Sequence, residues 1–514
     1  MKRVLVTALL LPLFASSAQS KDLIGVFEDA VHNDPVILQA DANRLAAREA
    51  KPQAIASLLP QLSGSAGVTG DHNSGTQPLN TINANNAVVL VAAPATVNTT
   101  TRTWSVNLKQ NVFSWANWMT LKEAGREVAQ AEANYQAAEQ NLILRVSQAY
   151  FAVLAAYDTL QADQSALEAI ARQLDQANKR FEVGLIAITD VEDAKAARDT
   201  AAATVIAQKR TLATTEDQLQ EITGQKYDSL AKPGTEMPLR SPEPADQDRW
   251  VNISLEQNLS LISSRLAADI ARDNVRIAIG GHLPTLDILA GRTYQSQGVD
   301  ETFGPYGSGL GTVPVTPFNY DTYFNDRQIT LQVTVPLFSG GATQSKVRQT
   351  QYLWIAAKEA VVQSSRAAER QARDAYLGVI SGIARVQALR QAVESNRASL
   401  KATEAGYEVG TRTSVDVLNA RRNLVQAETD YSTSRYDYLV SVLQLRLAAG
   451  NLDRAQLVDI NNWLTVSAPT SPAMATPESV APTIPAPQPA AAPPQPAPPP
   501  VTPRRATTPP GGTR

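Results

Sequence analysis

Residues 181–191 of this chain read F-E-V-G-L-I-A-I-T-D-V, and residues 407–417 read Y-E-V-G-T-R-T-S-V-D-V. The second stretch follows the first by 226 residues, and Gly224 and Gly450 are separated by the same number of residues. Repeats of solenoid proteins are much shorter, about 20 to 50 residues. The spacing therefore indicates an internal duplication, in which two halves of the chain follow one plan.

Each repeated stretch is predicted to join two long antiparallel helices. A helix can run from about 115 to 182, on the order of 100 Å, because this segment has no proline and only one glycine, Gly125. A second helix is predicted from 190 to 222, with Gly224 as its stop signal. Helices this long must pack side by side, so the pair forms a hairpin. The second half repeats this hairpin, with helices predicted at 341–407 and 416–449.

Alternating polar and apolar residues predict two strands in each half. In 103–109, three apolar residues, Trp104, Val106 and Leu108, alternate with polar ones, which is typical of a strand with one dry and one wet face. Residues 328–335 repeat the pattern. Two weaker strands precede these, at 61–69 and 285–294. About thirty residues rich in Asn, Thr, Gly and Pro separate the strands of each pair, and we expect them to form a long polar loop.

Four strands of this kind cannot close into a barrel within one chain. In lipid, unpaired backbone N–H and C=O groups are prohibitively costly, so membrane-spanning sheets are closed. The predicted strand length of about ten residues suits a membrane barrel with an apolar outside and a polar lumen. Closure therefore requires several chains. Two chains would give eight strands and three would give twelve, and the spacing of the strands does not choose between these numbers.

The two ends of the chain differ from the rest. Residues 1–20 begin with two basic residues, followed by a short apolar run and small residues, which predicts a secretory signal peptide. No later segment offers the roughly 20 apolar residues of a spanning helix, so no helical membrane anchor is expected. Residues 465–514 hold more than half of the 31 prolines, and we predict a disordered tail there. The two repeats then occupy 21–240 and 241–464.

The composition argues against an enzyme or a nucleic-acid-binding protein. A formal charge of −3 over 514 residues gives no basic surface for nucleic acid. The chain has no cysteine, and its three histidines are scattered without metal-ligand spacing. The glycine-rich segment 304–311 precedes no predicted helix, so we interpret it as a surface loop rather than a phosphate-binding loop. We expect no catalytic residue, cofactor or metal. The alternative to a channel is an exported structural coiled coil, which would not explain the strands.

Three motifs of the chain resemble the TolC family of outer-membrane channel proteins. They are G-H-L-P-T-L-D at 281–287 and the longer stretches around the two repeats, 180–191 and 406–418. The resemblance covers about 21–459. It implies an α+β membrane protein in which three chains form a twelve-stranded outer-membrane β-barrel, continuous with a helical coiled-coil tunnel in the periplasm.

The family resemblance also implies a function and partners. It implies a passive exit duct for type I protein secretion, multidrug efflux or both. The duct opens when its periplasmic hairpins untwist on docking of a periplasmic adaptor protein and an inner-membrane ABC or proton-driven transporter. The expected partners are thus two further copies of the chain, the adaptor, the transporter and outer-membrane lipid, and nucleic acid is not among them.

The same resemblance gives roles to residues at the hairpin ends. Tyr407 and Arg412 match the family residues that hold the inner hairpin closed. The inner hairpin corresponds to the second half of this chain, and the outer hairpin to the first. Gln173, Thr189 and Asp190 match their bonding partners on the outer hairpin. A phenol to carboxylate bond and bonds from an arginine to hydroxyl or amide groups would each contribute about 1 to 3 kcal/mol. Such a latch can hold a gate closed and still yield to a docking partner.

An acidic ring is expected at the periplasmic entrance. Asp416 matches a family aspartate whose symmetry copies form this ring, whereas Asn419 replaces the second aspartate, three residues later, and reduces the ring charge. Without the resemblance, Asp190 and Asp416 are both interpreted as carboxylates that stabilise the start of a helix. Gly184 and Gly410 are expected to supply the left-handed backbone conformation of the two turns. Contact with the adaptor is expected at four tip residues, namely Gly184, Leu185, Gly410 and Thr411.

Overall fold

The computed structural model describes residues 20–234, 237–308 and 311–470. Nearly all of the predicted signal peptide and most of the predicted tail lie outside the described residues. Each half contains short helices, then two long strands, then two long helices. In the first half these are α1 (Leu23–Asn33), α2 (Pro35–Arg48), α3 (Ala50–Ala56), β1 (Gln61–Ile82), β2 (Val88–Phe113), α4 (Trp115–Glu182) and α5 (Ile188–Thr223).

The second half follows a short strand, β3 (Ser229–Pro233), and repeats the order. It consists of α6 (Gln247–Gln257), α7 (Leu259–Gly280), β4 (Thr285–Phe303), the small strands β5 (Tyr306–Ser308) and β6 (Gly311–Val313), β7 (Thr316–Thr334), α8 (Ala342–Glu408) and α9 (Ser414–Ala449). The described chain ends with α10 (Arg454–Asn461) and β8 (Leu464–Pro469). The four long helices thus lie within two residues of their predicted bounds.

The four long strands form one antiparallel sheet in the order β1-β2-β4-β7. They contain 22, 26, 19 and 19 residues, so the prediction of strands of about ten residues was wrong. Most of the expected polar loops belong to the strands instead, and β1 and β2 are paired without interruption as far as Ile82 and Val88. Polar residues are unfavourable in isolated strands, but pairing with a neighbouring strand outweighs this weak preference.

Near the helices, one face of the sheet carries mostly apolar side chains, as the alternation predicted, although Arg292 lies on that face over the Trp104 ring. Trp104 of β2 lies beside Tyr294 of β4, with ring centroids 6.1 Å apart. The register places Ile329 of β7 on the same face, where its side chain is 85% exposed. Ser105 lies on the opposite face and contacts Ser65 through their hydroxyl groups at 2.9 Å. The apolar face is therefore left uncovered in a single chain.

The outer strands β1 and β7 are the edges of this sheet. Within the described part of one chain, neither has a second strand beside it, so each presents a row of unpaired backbone N–H and C=O groups. Such edges are usually paired, covered or charged. One chain therefore supplies an incomplete sheet.

The main core lies where the bases of the two helical hairpins meet the short helices. Its largest fully buried side chains are Trp250, Tyr150, Tyr438 and Phe151. The strands β3 and β8 pair beside this core, and Ala468 is completely buried opposite Leu230. Residues 465–469, which were expected to begin the tail, are therefore an ordered strand, because their backbone groups pair with β3. No helix of the described segments is long and apolar enough to cross a membrane.

Candidate functional site

The two repeated stretches form the tips of the hairpins α4–α5 and α8–α9. Gly184 and Gly410 have φ angles of +75° and +80°, a left-handed conformation that glycine adopts without steric cost. A Cβ atom at either glycine would meet nothing within 4 Å. The backbone conformation rather than lack of space therefore explains these glycines, as predicted. Leu185 and Val409 beside them are 73% and 76% exposed, so both tips present apolar side chains.

The second tip is closed by polar contacts. The carbonyl oxygen of Gly406 accepts hydrogen bonds from the N–H groups of Thr411 and Arg412, and also from the Thr411 hydroxyl at 3.0 Å. The next helix then begins with a capping box. The Asp416 N–H donates to the Thr413 hydroxyl, and the Thr413 N–H donates to the Asp416 carboxylate at 2.9 Å. This arrangement satisfies backbone groups that the first turn of a helix leaves free.

The capping contacts change the acidity of Asp416. Hydrogen bonds from the backbone N–H and the hydroxyl of Thr413, together with the charge of Arg412, lower the pKa of Asp416 below its ordinary value. Asp416 is thus held as a carboxylate at the start of α9. Asp190, at the matching position of the first hairpin, lies in the first turn of α5, but the N-cap residue there is Ala187 and makes no side-chain bond. The helix-start interpretation thus fits both aspartates, with hydrogen bonds found for Asp416.

Two contacts join the hairpins near their tips. The Gln173 side-chain nitrogen lies 3.4 Å from the Ser414 hydroxyl oxygen, and the Arg180 guanidinium lies over the Tyr407 ring, 5.0 Å from its centre. A cation over an aromatic face is attracted to the partial negative charge of the π-electron face of the ring. The Gln173 side-chain oxygen is buried, and no described residue forms a hydrogen bond with it. Gln173 and Tyr407 are therefore placed at the contact between the hairpins.

The other predicted latch residues do not meet within one chain. Among the described side chains, Tyr407 and Arg412 make no hydrogen bond to Gln173, Thr189 or Asp190. Arg412 and Thr189 are exposed.

Two contact residues, Arg180 and Ser414, were missed by the sequence analysis. Arg180 lies seven residues after Gln173 and hence on the same face of α4, a spacing that could have identified it. Ser414 follows directly on the turn, but no pattern singles it out.

Asn419, which was predicted to lie at the entrance, is exposed on α9.

A cleft of about 680 Å³ separates the two hairpins at this level. Gln173 and Arg180 line it from α4, Tyr407 and Glu404 from α8, and Arg421 from α9. Glu404 and Arg421 form an ion pair within the second hairpin, with 2.5 Å between the charged atoms. The Arg421 Nε atom is buried and has no hydrogen-bond partner among the residues that the structure describes. The hairpins therefore touch at separate points here rather than along a continuous packed surface.

The sheet and the hairpins together define a class of protein. Long strands with one exposed apolar face and two unpaired edges are suited to a membrane, where they must be completed by further strands. The long hairpins extend from the same chain and end in tips that expose apolar and polar groups. This is the architecture of a subunit of a membrane channel with a helical tunnel.

Comparison with known proteins places the chain within this class. A model of the family described as "Outer membrane efflux protein" matches residues 26–225 and 250–451. The outer membrane protein TolC of Vibrio cholerae is 35% identical over 466 residues, which cover 89% of this chain and 99% of that protein. TolC of Escherichia coli is 35% identical over 473 residues, 92% of this chain and 90% of that protein.

More distant proteins extend the comparison. The proteases secretion protein PrtF of Dickeya chrysanthemi is 25% identical over 470 residues, 90% of this chain and 95% of that protein. The crystal structure of the outer membrane protein VceC of Vibrio cholerae has a TM-score of 0.63 and 20% identity, and the match covers 83% of this chain and 96% of that one. The chain belongs to the outer membrane efflux protein family. It is located in the outer membrane, and its long hairpins lie in the periplasm.

Proposed function

We propose that three copies of this chain form a passive exit duct that serves type I protein secretion, multidrug efflux or both. The observation that carries the proposal is the four-stranded sheet with unpaired edges and an exposed apolar face, continuous with two long hairpins. In a trimer, β7 of one copy would pair with β1 of the next, which gives twelve strands and removes every edge. The names of the relatives support both kinds of cargo, since one is a protease secretion protein and the family is one of efflux proteins.

The duct itself performs no chemical reaction in this proposal. It needs neither a cofactor nor nucleic acid, and a periplasmic adaptor with an inner-membrane ABC or proton-driven transporter would supply the energy and the choice of cargo. The exposed tips at Gly184, Leu185, Gly410 and Thr411 are the surfaces proposed for contact with the adaptor. Outer-membrane lipid would cover the apolar face of the barrel.

The gate in this proposal is formed by hairpin ends from neighbouring copies. Arg412 and Asp190 have opposite charges, lie at the two tips and make no hydrogen bond to each other within one chain. We therefore assign the bonds from Arg412 to Thr189 and Asp190 to adjacent copies, where they would close the ring of tips. Tyr407 would add a further link. Three copies of Asp416 would surround the entrance, with Asn419 in place of a second carboxylate.

Membrane fractionation, electrophoresis and planar bilayer recording test this function. The protein should be recovered with the outer membrane, run as a trimer that dissociates only on heating, and conduct ions through a lipid bilayer. Divalent cations added on the periplasmic side should reduce the current. A soluble, non-conducting periplasmic rod would contradict the proposal and favour the structural coiled coil instead.

A further inference from the structure

One largely buried carboxylate joins the two hairpins near the end of the main core. Asp158 of α4 has a side chain that is only 16% exposed. Its carboxylate accepts hydrogen bonds from the Ser432 hydroxyl at 2.6 Å and from the Tyr436 hydroxyl at 2.8 Å, both on α9. The Lys232 ammonium group of β3 donates a third bond at 3.1 Å. A single side chain thus connects the first hairpin, the second hairpin and the two-stranded sheet of β3 and β8.

This position coincides with a change in how the hairpins pack. On the base side, α4 and α9 belong to one continuous core, which includes Phe151 stacked on Tyr436 at 5.8 Å. On the tip side, the next buried cluster contains Ala177, Val191 and Ala194, all from the first hairpin. The cleft described above separates the hairpins there. On α4 the last buried member of the main core is Leu160, two residues nearer the tip than Asp158, so Asp158 lies near the end of the packing that joins the two hairpins.

The geometry of the network fixes an orientation. Ser432 and Tyr436 are one helical turn apart and project from the same side of α9. Hydrogen bonds to a carboxylate are short and directional, and they are stronger than bonds between neutral groups. Apolar packing tolerates sliding more easily, since it is not directional. The two bonds to Asp158 therefore favour one angle of the second hairpin relative to α4.

A small rotation at this point has a large effect at the tips. Ser432 follows the start of α9 at Ser414 by 18 residues, roughly 27 Å of helix. A rotation of about 10° would displace the tip of the second hairpin by roughly 5 Å on this lever. Hinges of this type absorb an angular change at a few residues while the attached elements stay rigid.

We propose that Asp158, Ser432 and Tyr436 form the pivot that sets the closed angle of the second hairpin and about which that hairpin swings when the duct opens. The proposal rests on the channel function proposed above. The three side chains are positioning residues, because they act on the gate through the hairpin and do not line it.

The test uses the double variant Ser432→Ala with Tyr436→Phe in the full-length trimer. Lys232 still pairs with Asp158, so no buried charge is left alone, and the phenylalanine ring still stacks on Phe151. The variant should form heat-dissociable trimers and show a several-fold higher conductance in planar bilayers than the wild-type protein. Should the double variant fail to assemble, Ser432→Ala alone removes one of the two bonds and should give a smaller increase.

Tyr150→Phe is the matched control. It removes another buried phenol hydrogen bond from the same core, the one that the Tyr150 hydroxyl donates to the Ala231 carbonyl, and that bond joins α4 to β3 but not to α9. It should leave the conductance unchanged. Wild-type conductance in trimers of the pivot variants would overturn the pivot, and so would an equal increase in Tyr150→Phe. Absence of conductance in every protein, wild type included, would instead contradict the channel function itself.

Discussion

The two hairpin tips share a backbone but differ in the side chains that close them. At one matching position, Ile186 packs against the buried cluster of Ala177, Val191 and Ala194 in the first hairpin, whereas Arg412 is exposed on the second. At the next position, Ala187 begins α5 without a side-chain bond, whereas Thr413 begins α9 with a capping box. The first tip is thus stabilised by its own apolar contacts. The second is stabilised by polar caps, and its Arg412 cation is exposed.

The difference suggests a division of roles between the two hairpins of one chain. The glycines give both hairpins the same turn. The side chains around the turn differ, because the first tip makes apolar contacts within its own hairpin whereas the second presents exposed polar groups. Each of the following predictions tests one part of this contrast.

The largest effect is expected from breaking the proposed latch of the second hairpin. The double variant Tyr407→Phe with Arg412→Ser removes the phenol and the cation without changing the glycine turn. Each bond lost would contribute about 1 to 3 kcal/mol, and about 1.4 kcal/mol is a tenfold change in an equilibrium. Planar bilayer recording should therefore show a several-fold higher conductance.

The matched change in the first hairpin is Ile186→Ser, at the position equivalent to Arg412. It should leave the conductance close to that of the wild-type protein, while hydrogen exchange at the first tip becomes faster because an apolar contact is lost. Unchanged current in the double variant would refute the latch. Equal currents from both hairpins would remove the contrast between them.

The sequence predicted the backbone structure of the two hairpins better than the contacts of their side chains. Long stretches without proline and with terminal glycines determine the helix bounds locally, so α4, α5, α8 and α9 were found within two residues. Strand length was underestimated, because pairing between β1 and β2 decides it and no local pattern records that pairing. The contact of Arg180 with Tyr407 and the network of Asp158 join residues hundreds of positions apart, and only the folded chain brings them together.

A smaller effect, equal in both hairpins, is expected at the turn glycines. Gly184→Ala and Gly410→Ala each place a Cβ atom on a left-handed residue, which costs about 1 to 2 kcal/mol. Because neither glycine has a neighbour that a Cβ atom would touch, the cost should come from the backbone alone and be the same at both tips. Hydrogen exchange of each tip measures it. Asparagine variants should cost less, and a much larger loss at one tip would indicate a contact with another chain.

Opposite substitutions at the two helix starts test the caps. Each is expected to change the stability of the first helical turn by about 1 kcal/mol. Thr413→Ala removes the hydroxyl that accepts the N–H of Asp416 and should speed hydrogen exchange in the first turn of α9. Ala187→Thr adds a capping hydroxyl at the matching position of α5 and should slow exchange there. The direction should reverse between the two variants. An identical response would show that the cap does not distinguish the hairpins.

A modest effect is expected on block of the channel by divalent cations. Asp416→Ala removes the carboxylate proposed for the entrance ring, so block should weaken. The change should be limited, since Asn419 already supplies no charge at the second family position. Asp193 is the residue of the first hairpin that matches Asn419, and Asp193→Asn should leave the block unaltered. A block that persists fully in Asp416→Ala would place this residue away from the entrance.

The smallest expected effect concerns the pH at which this block is lost. The Thr413 N–H and hydroxyl lower the pKa of Asp416, so the carboxylate keeps its charge above that lowered pKa and loses it as the pH falls through it. Thr413→Ala removes the hydroxyl contact but keeps the backbone N–H, and the pKa should rise part of the way towards its ordinary value. Block by divalent cations should then disappear at a higher pH than in the wild-type channel. A midpoint that does not move, measured as current against pH at a fixed cation concentration, would show that the cap of the second hairpin has no influence on the charge at the entrance.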